Sequence, residues 1–241
     1  MSVYAIIFLM KKRKVAIFDI DGTIFRSSLL IELAEVMIEN KLFDFSARKE
    51  YEKEENEWLD RKGDYESYIN AVVKVFMKNI KGIAYEDFDR AAKIVIERYK
   101  NRTYRYTRDL IAKLKKKKYF ILAISQSPKG ILDGFCEKLG FDKVYGRFYE
   151  TDSMGRLTGN VVSEELIKNK ANIVKRAIEK ENLTLNDSVG VGDTEGDISF
   201  LKMVAEPICF NPNSKLYLRA KKKGWRVIVE RKDVVYEQET R

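Results

Sequence analysis

Two aspartates two positions apart, Asp19 and Asp21, follow the apolar run VAIF at 15–18 and open the string Phe18-Asp19-Ile20-Asp21-Gly22-Thr23. A strand that ends here aims both carboxylates into one small volume at its carboxyl end, where open α/β sheets bind ligands. Adjacent carboxylates repel each other and invite a hard, oxygen-liking cation such as Mg²⁺. Gly22 lets the backbone turn sharply or approach a ligand closely, and Thr23 stands where a helix N-cap would.

Three further groups follow. Ser125 ends the apolar run YFILAIS and, with Ser127 nearby, precedes a helical pattern; a hydroxyl beside the N–H groups of a helix start suits either a phosphate oxygen or a cap. Lys170, in KNKANIVKRAIEK, can balance acidic charge and hold a phosphoryl group, although other lysines and arginines crowd the same stretch. The string GVGDTEGD at 190–197 follows another apolar run. It places Asp193 and Asp197 four apart, on one side of any helix that starts there. Asp193 suits a metal ligand and Asp197 a supporting acid behind it. The glycines match neither dinucleotide-loop nor phosphate-loop spacing.

Composition removes alternatives. The 241-residue chain has no histidine, so triads built on Ser-His-Asp or Cys-His, and His-ligated zinc, are excluded. Cys136 and Cys209 sit in apolar or amphipathic runs and read as buried thiols. Net charge is 46 − 37 = +9, and residues 100–118 carry nine bases against Asp109, which leaves the remainder near neutral. That segment reads as a solvated helix face, with a weak contact to an anionic membrane as the sharper alternative. The apolar run Val3–Met10 is too short to span a bilayer, and KKRK at 11–14 follows it, the wrong order for a secretory signal. Met10 is expected to be a natural start, with residues 1–9 an upstream extension.

The elements that must position these residues alternate. Apolar runs at 15–18, 119–124, 188–192, 207–210 and 225–230 read as buried parallel strands. Helical patterns near 105–117, 128–139, 164–181, 196–204 and 213–223 separate them, and 142–162 reads as a hairpin beside the sheet. Residues 25–103 break this rhythm with long amphipathic patterns and no strong strand. The expected fold is α/β: a Rossmann-like, doubly wound parallel sheet core (1–24 and 104–241) with an all-helical cap domain inserted at 25–103.

Taken together, DxDGT, a strand-terminal Ser, a Lys and GDxxxD, in that order, resemble the haloacid dehalogenase superfamily of phosphatases. The position of the helical insertion and the stretches ISQSP and GRLTGNV are similar to its phosphoserine-phosphatase-like branch. The resemblance implies that Asp19 is the nucleophile, forming an aspartyl-phosphate, and that Asp21 is the general acid and base. It implies Mg²⁺ on Asp19, the Asp21 backbone carbonyl and Asp193, with Asp197 and Thr194 behind them. Gly22, Thr23, Ser125, Gln126 and Lys170 would hold the phosphoryl group. In phosphoserine phosphatases a glutamate stands nine residues after the nucleophile, whereas here that position is Ser28, with Glu32 one helical turn on. Both are candidate specificity residues.

The expected function is Mg²⁺-dependent hydrolysis of a small phosphorylated metabolite in the cytoplasm, without a nucleic-acid partner and with oligomeric state open. Phosphoserine itself, a phospholipid head group, phosphoryl transfer to an alcohol and a non-catalytic RNA module remain alternatives.

Overall fold

The computed structural model describes residues 12–239. The reading of residues 1–9 as an extension therefore lies outside the described residues.

Eight strands form one sheet: β1 Arg13–Phe18, β2 Phe120–Pro128, β3 Lys143–Thr151, β4 Leu157–Val162, β5 Leu183–Gly192, β6 Glu206–Phe210, β7 Arg226–Arg231 and β8 Val234–Gln238. Their order is β4-β3-β2-β1-β5-β6-β7-β8. The six central strands are parallel, and β4 and β8 run antiparallel at the two edges. Strand order reverses at β1, which lies between β2 and β5, so the crevice for a ligand opens above the carboxyl end of β1.

The helices are α1 Leu29–Glu39, α2 Glu52–Leu59, α3 Tyr65–Asn79, α4 Tyr85–Tyr99, α5 Arg105–Lys116, α6 Lys129–Leu139, α7 Glu164–Lys168, α8 Lys170–Lys180, α9 Ile198–Leu201 and α10 Ser214–Lys223. Continuous apolar strands need cover on both faces, and β1 shows the division. Ala16 and Phe18 join one buried apolar layer, whereas Val15 and Ile17 join the other.

Residues 29–99 contain only helical elements, α1 to α4 and a 3₁₀ turn at Phe45–Glu50. Their apolar stripes merge with the first layer: Leu33, Phe76, Phe88 and Val95 share one cluster with Phe18, Ile121 and Phe135. Close approach makes this possible, since a Cβ on Gly134 of α6 would come 2.7 Å from Ile96 Cδ1 of α4. The hairpin β3–β4 fastens the far side through Gly82 N to Leu157 O and Tyr85 N to Gly155 O, at 2.8 and 2.9 Å. The two chain crossings run side by side, with Arg26 N donating to Arg102 O and Tyr104 N to Ile24 O, each at 2.9 Å.

The structure departs from the sequence-based expectation in three places. The helix expected over 164–181 is broken at Asn169, whose backbone is extended and whose side chain accepts from Ala171 N at 3.0 Å. The break puts Lys170 first in α8. The helix expected over 196–204 is a 3₁₀ turn, Glu195–Asp197, followed by the single turn α9. Finally, β8 closes the sheet edge through a tight turn in which Lys232 adopts φ 55°. Its mixed composition gave no strand signal.

Candidate active site

The site lies above β1 and β5. Asp19 N donates to Val191 O at 2.9 Å, so the chain leaves β1 still in register with its neighbour. Ile20 O then accepts from the N–H groups of Thr23, Ile24 and Phe25, which folds the Asp19–Thr23 loop into a tight knot. Gly22 is required there twice over. Its φ is +78°, and a Cβ would lie 2.1 Å from Asp193 Oδ2. Thr23 secures that same aspartate, donating its hydroxyl to Asp193 Oδ1 at 3.2 Å.

Lys170 joins distant parts of the chain. Its ammonium lies 2.6 Å from Asp19 Oδ1 and 2.5 Å from Asp197 Oδ1, and all three groups are buried. Burial alone would depress the Lys170 pKa, but the Asp19 and Asp197 charges outweigh it and hold it above the ordinary lysine value. Asp197 is fully engaged, because its Oδ2 accepts from the N–H groups of Asp193 and Thr194 at 2.9 and 3.1 Å. Thr194 and Asp197 thus close a capping box over the 3₁₀ turn.

One oxygen stands apart. Asp19 Oδ2 is buried and has no hydrogen-bond partner. An orphaned buried carboxylate oxygen costs free energy unless something else meets it. Burial, and then the nearby Asp197 and Asp21 charges against the pull of Lys170, push the Asp19 pKa up to about 7. Burial and the charges of Asp19 and Asp197 also raise Asp193 well above the carboxylate range. Ligand oxygens of Asp19, Asp193 and Asp197 lie within 4.8 Å of one another. Since Asp197 has no oxygen to spare, Asp19 and Asp193 are the pair that fits a divalent cation, which would relieve both the orphaned oxygen and the repulsion.

Asp21 turns the other way. Its Oδ1 accepts from Leu29 N at 2.6 Å, and its Oδ2 accepts from the hydroxyls of Ser125 at 2.5 Å and Ser127 at 2.9 Å. Its carboxylate is therefore outside the acidic cluster, and a metal could reach this residue only at its backbone. Ser125 and Ser127 alternate along β2 and so face the same side, a period-two signal that already places Ser127 beside Ser125.

Gln126 departs from its expected place. Its side-chain nitrogen donates to Ile167 O at 2.7 Å and its Oε1 accepts from Arg147 Nε at 3.1 Å, so the amide braces the corner before Lys170 rather than facing the phosphate position. Glu32 departs likewise: its carboxylate is 2.7 Å from Arg102 Nη1 and already neutralised. Ser28 is buried.

Residues 16–202 match the family described as haloacid dehalogenase-like hydrolase. The chain belongs to that family. Within it the chain is a phosphatase of the phosphoserine-phosphatase-like branch. It is 27% identical over 202 residues, 83% of this chain and 86% of the relative, to the phosphoserine phosphatase of Methanocaldococcus jannaschii. It is 31% identical over 111 residues to the histidinol-phosphatase of Neisseria meningitidis, a match over 44% of this chain and only 50% of that relative. Among solved structures, a substrate-bound phosphoserine phosphatase complex superposes with a TM-score of 0.63 at 25% identity, covering 93% of this chain and 96% of the other. A Bordetella pertussis protein of unknown function shares the fold, with a TM-score of 0.70 at 16% identity over 90% and 98% of the two chains.

Proposed function

We propose that this enzyme hydrolyses a small phosphomonoester with Mg²⁺, through an aspartyl-phosphate on Asp19. The observation that carries the reading is the buried, unpartnered Asp19 Oδ2 beside Lys170 and Asp193. Asp19 attacks phosphorus and the bond to the ester oxygen breaks, while Asp21 gives that oxygen its proton. Asp21 then takes a proton from water, the water oxygen attacks phosphorus, and the bond to Asp19 breaks to release inorganic phosphate. Lys170 holds a phosphoryl oxygen, and the Ser125 hydroxyl holds another once it turns from Asp21 Oδ2, to which it donates at 2.5 Å. Gly22 and Thr23 shape the floor, and Asp197 keeps Lys170 aimed. Asp19, Asp193 and the Asp21 backbone carbonyl would hold Mg²⁺, whose positive charge would let one anion approach another. No step needs histidine, in keeping with the composition.

The helical block within 25–103 acts as a cap in this reading. Glu66 at the start of α3 meets Lys215 at 2.9 Å, and Lys215 meets Glu195 of the metal loop at 2.6 Å. This latch is the side that opens, because the opposite side shares the apolar cluster with the core.

The lysine run that ends the basic segment 100–118 does not serve the site. Val15 pairs with Phe120, so the lysines Lys115–Lys118 stand at the strands' amino ends. Five strand residues separate them from Ser125, roughly 16 Å at the usual rise. A membrane held by those lysines would face away from the catalytic edge, which argues against a phospholipid head group. No helix of the described residues is long and apolar enough to cross a membrane.

The decisive experiment is a phosphomonoester panel run with Mg²⁺ and with EDTA, on the wild type and Asp19→Asn. Metal-dependent phosphate release that Asp19→Asn abolishes is the expected result. Release that survives either EDTA or the substitution overturns the reading.

A further inference from the structure

The proposed chemistry asks two things of one proton. The Ser125 hydroxyl donates to Asp21 Oδ2 at 2.5 Å, and a phosphoryl oxygen needs the same hydroxyl. A hydroxyl carries a single proton, so it serves one acceptor at a time. Once Ser125 turns to the phosphoryl group, Asp21 Oδ2 must be held by something else.

Ser127 is placed for that task. Its hydroxyl donates to Asp21 Oδ2 at 2.9 Å, and its N–H donates to Ser125 Oγ at 2.9 Å. Both serines are buried. The strand is bent where this contact forms. Ile124 of β2 pairs with Tyr145 of β3, and Pro128 pairs with Arg147, so β2 takes four steps where β3 takes two (128 − 124 against 147 − 145). A bulge of this kind re-aims side chains beside a site. Pro128 favours extended backbone at Ser127, and Pro128 itself is the N-cap of α6, where no side chain makes a capping bond. The Ser127 hydroxyl is therefore not engaged in starting a helix, the ordinary use of a serine in such a place.

The other oxygen of Asp21 is fixed from the opposite side. Oδ1 accepts at 2.6 Å from the N–H of Leu29, the first residue of α1, whose N-cap Ser28 makes no side-chain capping bond. A backbone N–H only donates, so Oδ1 has no place for a proton, and Oδ2 is the oxygen that exchanges one with the leaving group.

We infer that Ser127 is a positioning residue for the proton transfer: its hydroxyl keeps Asp21 Oδ2 aimed at the leaving oxygen while Ser125 is engaged by the phosphoryl group. The inference rests on the phosphatase reading. The ester oxygen takes the proton from Oδ2 as its bond to phosphorus breaks. Ser127 keeps its own proton and donates to the negative charge left on Oδ2. A hydrogen bond to a charge is stronger than one to a neutral group, so the contact counts most as the leaving group departs.

The test uses leaving groups of unequal need. A nitrophenolate departs without a proton, whereas an alkoxide does not. The Mg²⁺-loaded wild type, Ser127→Ala and Ser125→Ala are compared by kcat/KM on para-nitrophenyl phosphate and on the fastest alkyl ester among phosphoserine, phosphoethanolamine and glycerol 3-phosphate. That parameter covers the steps through leaving-group departure and excludes the later hydrolysis of the aspartyl-phosphate. Ser127→Ala lowers the ratio of alkyl to nitrophenyl ester by roughly tenfold, the scale of one hydrogen bond to a charged group. Ser125→Ala lowers both esters together, because the phosphoryl group is common to them. A loss shared equally by the two esters in Ser127→Ala gives Ser127 a structural role only and overturns the inference, as does an unaltered ratio or an alkyl-selective loss confined to Ser125→Ala. A wild type that releases phosphate only from the nitrophenyl ester also overturns it and leaves the phosphatase reading standing. A wild type inert on all four esters removes that reading, and this inference with it.

Discussion

The Lys170 ammonium lies 2.6 Å from Asp19 Oδ1, across 151 positions of sequence, and both groups are buried. A charge pair in that setting is costly to break from one side, because the partner left behind keeps its desolvation cost without its counter-charge. Lys170→Met strands three acids, Asp19, Asp193 and Asp197. The expected loss is about 3–5 kcal/mol of unfolding free energy, measured by denaturant titration in EDTA. Mg²⁺ should restore part of it, because the cation supplies positive charge to the same acids. A metal-free stability equal to the wild type's would contradict this account of the cluster.

In the proposed reading, protons and Mg²⁺ compete for the same oxygens. Burial raises Asp19 to about 7 and Asp193 well above the carboxylate range in the metal-free site. A carboxyl raised in the folded state stabilises the fold most below its unfolded pKa near 4 and loses that contribution as pH rises through its folded value. The metal-free protein therefore loses stability from Asp19 between roughly pH 4 and 7, and Asp193 acts in the same direction. The rise in Tm on adding Mg²⁺ should accordingly grow over that interval. Thermal melts with and without Mg²⁺ from pH 5 to 8 check the sign, and a shift that shrinks with rising pH is the contrary result.

Asp19→Asn separates stability from catalysis. The amide carries no buried charge and Asp197 still balances Lys170 at 2.5 Å, so the metal-free variant should be at least as stable as the wild type near pH 8 while phosphate release falls by three orders of magnitude or more, roughly the loss seen when a nucleophile is removed. Melts and single-turnover assays on the same preparation report both quantities.

Gly22 tolerates no side chain. With φ at +78° and Asp193 Oδ2 only 2.1 Å from the place a Cβ would occupy, Gly22→Ala must move the acid or the loop. Destabilisation of about 1–3 kcal/mol is expected from the backbone conformation and the contact. Mg²⁺ affinity should fall with it, measured by calorimetry, whereas Gly155→Ala, where a Cβ meets nothing within 4 Å, should leave that affinity unaltered.

Charge reversal far from the site should be silent. Replacing Lys116, Lys117 and Lys118 with Glu changes the net charge by six at the amino ends of β1 and β2. The salt dependence of kcat/KM should stay as in the wild type, because screening extends only about 10 Å at 0.1 M salt. A marked change in that slope would give the segment a steering role.

Local strings were enough to locate much of this protein. DxDGT, the strand-terminal Ser125 and GDxxxD are each bounded by continuous apolar strands, and such strands can be buried on both faces only in a parallel sheet, so the α/β class and the loops bearing Asp19, Ser125 and Asp193 were legible from short-range pattern. The amphipathic periods of 29–37, 65–76 and 88–99 marked helices for the same reason. Tertiary packing decided the rest. Asn169 breaks a periodic helix so that Lys170 can turn inward, Gln126 is drawn away by Ile167 and Arg147, and Glu32 is neutralised by Arg102 from 70 positions on. The cap is tied to the Asp193 loop through Glu66, Lys215 and Glu195, three groups from three distant stretches. Hydrophobic period reports which face of an element is buried, but not which distant polar group meets it there. Those meetings carry the charge balance of the site.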